Sequence, residues 1–384
     1  MKHFYSILSF LLLFGFQHLN AQESQSLRFY QPEIVVGTVV PNYMNYPSAG
    51  ARFGAAITIG KQDTIANSFN HYYNFPKTGI HLGLHTLGND SIYGQEISLM
   101  PTLELKTKRN GFFRLGFGAS YYTKTYRDSK RNLAVGSNLT WGFQLYYYRN
   151  IIVRENANLK LGAGFLHGSN GHLQLPNYGI NSAVLSVSLQ HLSQNSNLPT
   201  REKNKYKGER QWVYSHRVGI GWHELGSTVG PVGGEKKAVY NGAIAVGIIF
   251  KRHFKLMAGF GYRYYQHYAD YIDENIADST LNAHNVYFTL GGEFMLRHVG
   301  IVLDGGINLY KPFYPYFVQE FESADEWSYI LKKLFLSRVG FNFYLKDVTK
   351  SPTNNLFIAT TMHANFGQAD FSGVSIGYLR TFGQ

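Results

Sequence analysis

The sequence predicts an all-β fold, a transmembrane antiparallel β-barrel of about 16 strands. One observation behind this prediction is the alternation of apolar residues with polar residues or glycine, in segments of roughly ten residues that recur along the chain. Another is the composition: 44% of the 384 residues are hydrophobic and 16% are aromatic, while only 16% are charged. The last is an apolar N-terminus of the kind that directs export. Such an aromatic-rich chain is not expected to be disordered.

The N-terminal segment, residues 1–21, has the layout of a secretory signal peptide. Lys2 provides a positive start, residues 4–16 form a nearly unbroken apolar run, and Ala21 is a small residue at the expected cleavage site. The run is shorter than the ~20 residues of an ordinary membrane-spanning helix. We therefore expect residues 1–21 to be removed on export, and residues 22–384 to form a barrel in the outer membrane of a Gram-negative bacterium.

The strand assignments depend on which residues share a face. In the segment 254–264, the even-numbered residues are apolar, and the odd-numbered residues include Lys255, Arg263 and two glycines. The same pattern predicts sixteen strands, although a count of 12 to 16 is compatible with it. Their approximate bounds are 33–42, 49–60, 79–87, 94–106, 111–124, 134–149, 157–168, 179–191, 212–224, 238–252, 254–268, 283–297, 299–311, 334–347, 354–366 and 371–383.

The connections between these strands mostly alternate between short turns and long loops, as expected when one end of a barrel carries the loops. Two connections break the rule, because residues 61–78 and 192–211 are long on the side of the short turns. The basic segment 192–211 could separate two smaller barrels, one from the half 33–191 and one from the half 212–384. We expect a single closed barrel instead. A secreted β-sandwich or β-helix is the alternative fold, and the apolar face of nearly every strand argues against it.

One hairpin carries a polar cluster suited to acyl transfer. His167 and Ser169 lie two residues apart at the end of a predicted strand, so both side chains point to one face. An imidazole beside a hydroxyl is the minimum arrangement for an activated serine. The apolar residues of the segment 159–165 have the same parity, which places the pair on the lipid-facing side. If the hairpin is centred on Gln174, His167 pairs directly with Asn181. Gly, Ser and Asn are also common in turns, so the pair alone is a weak signal.

The residues that follow the pair extend the pattern. Together with the pair, the extended pattern consists of His167, Ser169, Asn170, Pro176, Asn177 and Gly179. With this spacing, residues 157–191 resemble the signature of the outer-membrane lipid A 3-O-deacylases (PagL-like acyloxyacyl hydrolases). The resemblance implies a barrel with an outward-facing esterase site that cleaves an ester-linked acyl chain of lipid A. It implies Ser169 as the nucleophile and His167 as the general base. The residues that it places in the oxyanion hole or in its support are Asn170, Gly171, His172 and Asn177.

The sequence departs from this family at one position. The family has a glutamate twelve residues after the serine, where this chain has Asn181. An amide can orient His167, but it cannot offset the charge of an imidazolium as a carboxylate does. In a serine protease, an Asp→Asn change in the triad lowers kcat by about 10⁴-fold. A non-catalytic outer-membrane barrel, either a pore or a scaffold with a degenerate motif, therefore remains an alternative. The resemblance assigns no role to residues 212–384.

The net charge and the numbers of Cys and His residues limit which partners and ligands we expect the protein to bind. The formal net charge is +12, but an exported chain is not expected to meet nucleic acid. Basic residues in the loops 124–131 and 236–237 suit the phosphate groups of lipid A or lipopolysaccharide, although ordinary surface charge would explain them equally well. The chain has no cysteine, and its 15 histidines lack the spacing of a metal site. We expect no metal and no cofactor, with lipid A as the substrate and outer-membrane lipids around the barrel.

Overall fold

The computed structural model of the protein describes residues 26–65, 67–193, 209–226, 228, 231–275, 281–321 and 326–383. The predicted signal peptide and most of the connection 192–211 lie outside these residues. All sixteen predicted strands are present. The first eight are β1 (Ser26–Val40), β2 (Ala51–Asp63), β3 (Lys77–Thr86), β4 (Gln95–Lys106), β5 (Gly111–Tyr122), β6 (Leu139–Val153), β7 (Ala157–Ser169) and β8 (Ile180–Leu192). The others are β9 (Arg210–Gly226), β10 (Pro231–Phe250), β11 (Phe254–Tyr265), β12 (His284–Leu296), β13 (Val299–Tyr310), β14 (Phe335–Tyr344), β15 (Asn354–Asn365) and β16 (Gln368–Phe382).

The strands form two closed antiparallel barrels of eight strands each, not one barrel of sixteen. Strand β8 pairs with β1, for example Leu192 with Phe29, and β16 pairs with β9, for example Phe382 with Trp212. The preference for a single barrel was therefore wrong, and the alternative of two smaller barrels describes the chain. Eight strands suffice to close a barrel whose interior is filled by side chains. The alternation along each strand is the same for either closure, so it could not separate them.

The interior of the first barrel is occupied by buried ion pairs. The carboxylate of Glu104 lies 2.8 Å from Lys160 Nζ and 3.2 Å from the Arg114 guanidinium. Arg114 also pairs with Glu33 at 3.2 Å. Because each charge has an opposite charge and further hydrogen bonds beside it, the cost of removing these groups from water is offset.

The second barrel is filled in the same way. Lys255 Nζ lies 2.7 Å from the Glu293 carboxylate, which also accepts a 2.6 Å hydrogen bond from the Tyr344 hydroxyl. Outward-facing positions of both barrels are apolar instead. Examples that are more than half exposed are Ile34, Leu84, Leu185, Ile244, Leu290 and Ile376. Each barrel thus has a packed polar interior and an apolar outer wall, as in transmembrane β-barrels.

The two barrels contact each other at two places, at the turns of both barrels and at the loop 170–179 of the first. A short helix, α1 (Ser68–Tyr73), lies in one of the two connections that broke the alternation of short and long loops. The Tyr73 hydroxyl donates to the carbonyls of His253 and Met295 at 3.3 Å, and Asp63 pairs with Arg297 at 2.7 Å. This long connection therefore docks the turn end of the first barrel against the turns of the second.

In the described residues of the second barrel, three further α-helices lie mostly where loops were predicted, although residues 266–268 were predicted to end a strand. They are α2 (Gln266–Asn275), α3 (Tyr314–Phe321) and α4 (Glu326–Leu334). Aromatic residues of α2 and α3, such as Tyr268 and Phe317, pack with Phe313 and Phe371 into a buried cluster at this end of the barrel. Among the described residues, no helix is both long and apolar enough to cross a membrane.

Candidate active site

The hairpin formed by β7 and β8 brings the predicted pair of His167 and Asn181 together. The two residues are direct partners in the register of the hairpin, as the centring on Gln174 predicted. His167 Nδ1 and Asn181 Oδ1 are 2.7 Å apart. The amide oxygen can only accept, so the proton of this hydrogen bond belongs to Nδ1 and leaves Nε2 as an acceptor.

These side chains lie on the outer wall of the first barrel. Along β7 the odd-numbered residues Leu161 and Phe165 are exposed, whereas the even-numbered Lys160 is buried inside the barrel. His167 shares the odd parity and is partly exposed, and Ser169 follows it on the same face. The outward placement predicted from parity is confirmed. Ser169 is only 7% exposed, however, so a neighbouring part of the chain covers it.

The Ser169 hydroxyl is held by the loop 170–179 that follows β7. The Asn177 side-chain amide donates to Ser169 Oγ at 3.1 Å, and the Gly171 backbone N–H donates to the same atom at 3.3 Å. The backbone N–H of Asn170 donates to Asn177 Oδ1 at 2.9 Å and so orients the amide. Two of the four residues that the family resemblance placed in the oxyanion hole or its support therefore have N–H groups directed at the serine.

The side chains of the other two residues of this set face elsewhere. Asn170 Nδ2 donates to the Gln174 carbonyl at 2.6 Å and to Ser137 Oγ at 3.1 Å, so its side chain stabilises the loop. The His172 ring stacks on the His223 ring of the second barrel, with centroids 4.7 Å apart. Burial lowers the pKa of His172 to about 4, so its ring is uncharged at neutral pH.

Gly179 closes the loop at the point where the histidine and the serine meet. Its φ of +75° lies in the left-handed region that favours glycine. A Cβ at this position would lie 2.9 Å from His167 Cε1, 3.0 Å from the Gly168 carbonyl oxygen and 3.3 Å from Ser169 Cβ. His167 and Ser169 therefore converge on one small volume, which is kept open by the missing side chain.

The second barrel contributes residues beside the site that the sequence reasoning missed. Glu224 of β9 accepts a 2.7 Å hydrogen bond from the Leu175 N–H, and Ser372 of β16 donates to the Gly171 carbonyl at 3.2 Å. Trp141 of β6, the register partner of Ser169, donates to Ser372 Oγ at 3.2 Å. Nothing in the local sequence around these residues signals such contacts, because they depend on how two separately closed barrels dock.

Basic residues predicted to meet phosphate lie near this loop. Lys236 of β10 donates to Gln174 Oε1 at 3.4 Å, and the basic loop 124–131 belongs to the same end of the first barrel. Within the part of the chain that the structure describes, no three His, Asp or Glu side chains are grouped to hold a metal ion.

Several solved structures align over nearly the whole chain, but with low TM-scores. OccK5 (OpdH) of Pseudomonas aeruginosa is 9% identical, with 93% of this chain and 98% of that chain covered and a TM-score of 0.21. OccAB4 of Acinetobacter baumannii is 10% identical, with 95% and 99% covered and a TM-score of 0.23. TM-scores this low do not support a shared arrangement of strands. No curated protein matches the chain.

A family model gives the informative match. Residues 50–190 match the lipid A 3-O-deacylase (PagL) family, a span that runs from the start of β2 almost to the end of β8. The match contains the His167–Ser169 pair, the loop 170–179 and Asn181, and it ends before the second barrel begins. The first barrel is therefore similar to the lipid A 3-O-deacylase family over the matched residues.

Proposed function

We propose that the protein is an outer-membrane serine esterase that hydrolyses an ester-linked acyl chain of lipid A or a similar saccharolipid. The observation that carries the proposal is the 2.7 Å hydrogen bond from His167 Nδ1 to Asn181 Oδ1 on the outer wall of the barrel, next to Ser169. It leaves Nε2 unprotonated, as a general base requires. The family match over residues 50–190 supports lipid A as the substrate class.

The reaction proceeds in two steps, acylation of Ser169 and hydrolysis of the acyl-serine. Ser169 Oγ attacks the ester carbonyl carbon as His167 Nε2 takes the hydroxyl proton, and the bond from that carbon to the sugar oxygen then breaks. His167 returns the proton to the sugar oxygen, which leaves as an alcohol. Water, activated by His167, attacks the acyl-serine, so that the fatty acid leaves and Ser169 is restored. The sum is ester plus water giving alcohol plus acid.

Two groups support stabilisation of the negative oxygen of the tetrahedral intermediates in this proposal. The Gly171 N–H and the Asn177 side-chain amide both lie within hydrogen-bond distance of Ser169 Oγ in the free protein. A carbonyl oxygen bonded to the carbon that Oγ attacks would lie close to the same donors. Catalytic hydrogen bonds often tighten only when substrate is bound, so we expect the serine to turn toward His167 in the complex.

The geometry favours this activity over a passive pore. An open channel needs an empty lumen, whereas both barrels contain buried ion pairs such as Lys160–Glu104 and Lys255–Glu293. A scaffold role would not explain why His167, Ser169 and Asn177 are brought together on an apolar outer wall, where uncompensated polar groups are costly.

The proposal is tested by expressing the full chain or its Ser169→Ala variant in a Gram-negative host and analysing lipid A by mass spectrometry. We expect the wild-type protein to produce lipid A that lacks one ester-linked acyl chain, and the variant to leave lipid A intact. Heat-modifiable mobility on gels serves as the control for insertion. Identical spectra from two correctly inserted proteins would overturn the proposal.

A further inference from the structure

We propose that the second barrel is a working part of the active site: its residues Glu224 and Ser372 position the loop 170–179, which carries the oxyanion donors. This inference rests on the proposed esterase function and extends it, because the family match ends at residue 190 and assigns nothing to the second barrel. Glu224 and Ser372 are positioning residues in this view, since they act on the reaction through the loop.

Glu224 binds the loop at two points. Its backbone N–H donates to the His172 carbonyl at 3.3 Å, and its carboxylate accepts from the Leu175 N–H at 2.7 Å. The residue is 1% exposed, so this hydrogen bond is shielded from competing water. A buried N–H without an acceptor is costly, and the loop is therefore expected to move if the carboxylate is removed.

Ser372 binds the loop at its beginning. It lies on the outer face of β16, yet it is 3% exposed because the first barrel covers it. Its hydroxyl donates to the Gly171 carbonyl and accepts from Trp141 Nε1, both at 3.2 Å. A Cβ on Gly171 would lie 2.1 Å from Ser372 Oγ, and Gly171 has a φ of +61°. The two barrels thus approach as closely as a glycine allows.

The contacts with the second barrel lead directly to the two donors at Ser169. Gly171, whose N–H faces Ser169 Oγ, is held through its carbonyl by Ser372. Asn177, whose side-chain amide faces the same atom, is held through its backbone N–H by the carbonyl of Thr228 at 3.0 Å. Oxyanion donors act because they are fixed in advance, and a misplacement of about 1 Å can lower the rate on the order of 10²-fold.

The first experiment compares Glu224→Ala with Glu224→Gln in the purified full-length protein. The probe is the 4-nitrophenyl ester of a medium-chain fatty acid in detergent micelles. We expect Glu224→Ala to lower kcat by about tenfold to hundredfold with little change in KM, because donors are misplaced and substrate contacts are kept. Glu224→Gln should recover most of the loss, because its amide oxygen can accept from the Leu175 N–H.

Matched controls separate loop positioning from general loss of stability. Glu293 is a second buried glutamate of the same barrel, and its carboxylate binds Lys255 instead of the loop. Ser375 is a second buried serine of β16. We expect Ser372→Ala to lower kcat, and Glu293→Ala and Ser375→Ala to leave kcat unchanged in the folded fraction.

Hydrogen exchange of peptides that cover residues 171–177 gives a readout independent of turnover. Faster exchange in Glu224→Ala, restored in Glu224→Gln, together with the kcat loss supports the inference. Unchanged kcat and exchange in both Glu224→Ala and Ser372→Ala overturn it. If the wild-type protein shows no hydrolysis that depends on Ser169, the proposed esterase function is wrong. The exchange rates then decide by themselves whether the second barrel holds the loop.

Discussion

Asn181 is the residue at which this site differs most from the lipid A 3-O-deacylase family that the first barrel resembles. In the proposed site it stands where the family resemblance expects a glutamate, and its amide oxygen accepts from His167 Nδ1 at 2.7 Å. The amide therefore fixes the tautomer and the orientation of the imidazole. In the proposed mechanism, the amide does not carry the negative charge that would stabilise the imidazolium formed when Ser169 loses its proton. Orientation is present at this site, and charge compensation by the third residue is missing.

The Asn181→Asp variant isolates that missing charge, because aspartate has nearly the size and shape of asparagine. We expect kcat for ester hydrolysis to rise at least roughly tenfold, as the carboxylate stabilises the imidazolium without moving the ring. Asn181→Leu, which removes the acceptor, should lower kcat. Both are measured as fatty-acid release by the purified protein.

The double variant Ser169→Ala/Asn181→Asp is the control. It should be inactive, because the expected rise in kcat of Asn181→Asp depends on the Ser169 hydroxyl. A lower kcat in Asn181→Asp would contradict this view. It would mean that the NH₂ group of Asn181, not its oxygen, contributes to the reaction.

At the scale of the element, the loop 170–179 decides whether the residues of β7 and β8 form a site. The register of the hairpin could be predicted, since alternation and the central position of Gln174 fix which residues face each other. The path of the loop could not, because it is set by contacts outside the hairpin. Gly179 belongs to the sequence pattern, but its φ of +75°, which favours glycine, is known only from the structure.

The Gly179→Ala variant tests how far the site depends on the shape of this loop. The new methyl group would lie 2.9 Å from His167 Cε1 and 3.0 Å from the Gly168 carbonyl oxygen, so the ring and the strand end must shift. We expect kcat to fall on the order of 10²-fold, in line with the cost of small misplacements. The measurement is hydrolysis of the same 4-nitrophenyl ester by the folded variant.

Gly367→Ala is the matched control, because Gly367 has a φ of +84° and open space around its Cβ position. Both substitutions carry the backbone strain of a left-handed residue, roughly 1–2 kcal/mol. Only the one at residue 179 intrudes on the site. Equal losses of activity in the two variants would show that strain or stability is responsible, and steric intrusion would be excluded as the cause.

At the scale of the molecule, the positions of the strands could be predicted from the sequence, but which strands pair to close a barrel could not. All sixteen predicted strands appear, because each one needs an apolar outer face and an inner face of polar residues and glycine. Most bounds agree within a few residues, but β1 and β10 each begin seven residues before the predicted start, and β6 begins five residues after it. Whether β8 pairs with β1 or with β9 leaves that alternation unchanged, and either pairing satisfies the same backbone groups. The contacts of Glu224 and Ser372 with the loop 170–179 follow from the docking of two closed barrels, so they were invisible at the level of single strands.

Two barrels of eight strands also change what the molecule is expected to conduct. A sixteen-strand barrel would leave an aqueous lumen, whereas eight strands enclose a space just wide enough for side chains. Here that space holds Glu104 between Arg114 and Lys160 in one barrel, and Glu293 between Lys255 and Tyr344 in the other.

Purified protein added to planar lipid bilayers should therefore give no steady conductance steps. A sixteen-strand porin, inserted under the same conditions, is the positive control. Reproducible unit conductances from protein of verified purity would contradict this prediction and favour a pore, because at least one barrel would have to offer a continuous path past its ion-pair network.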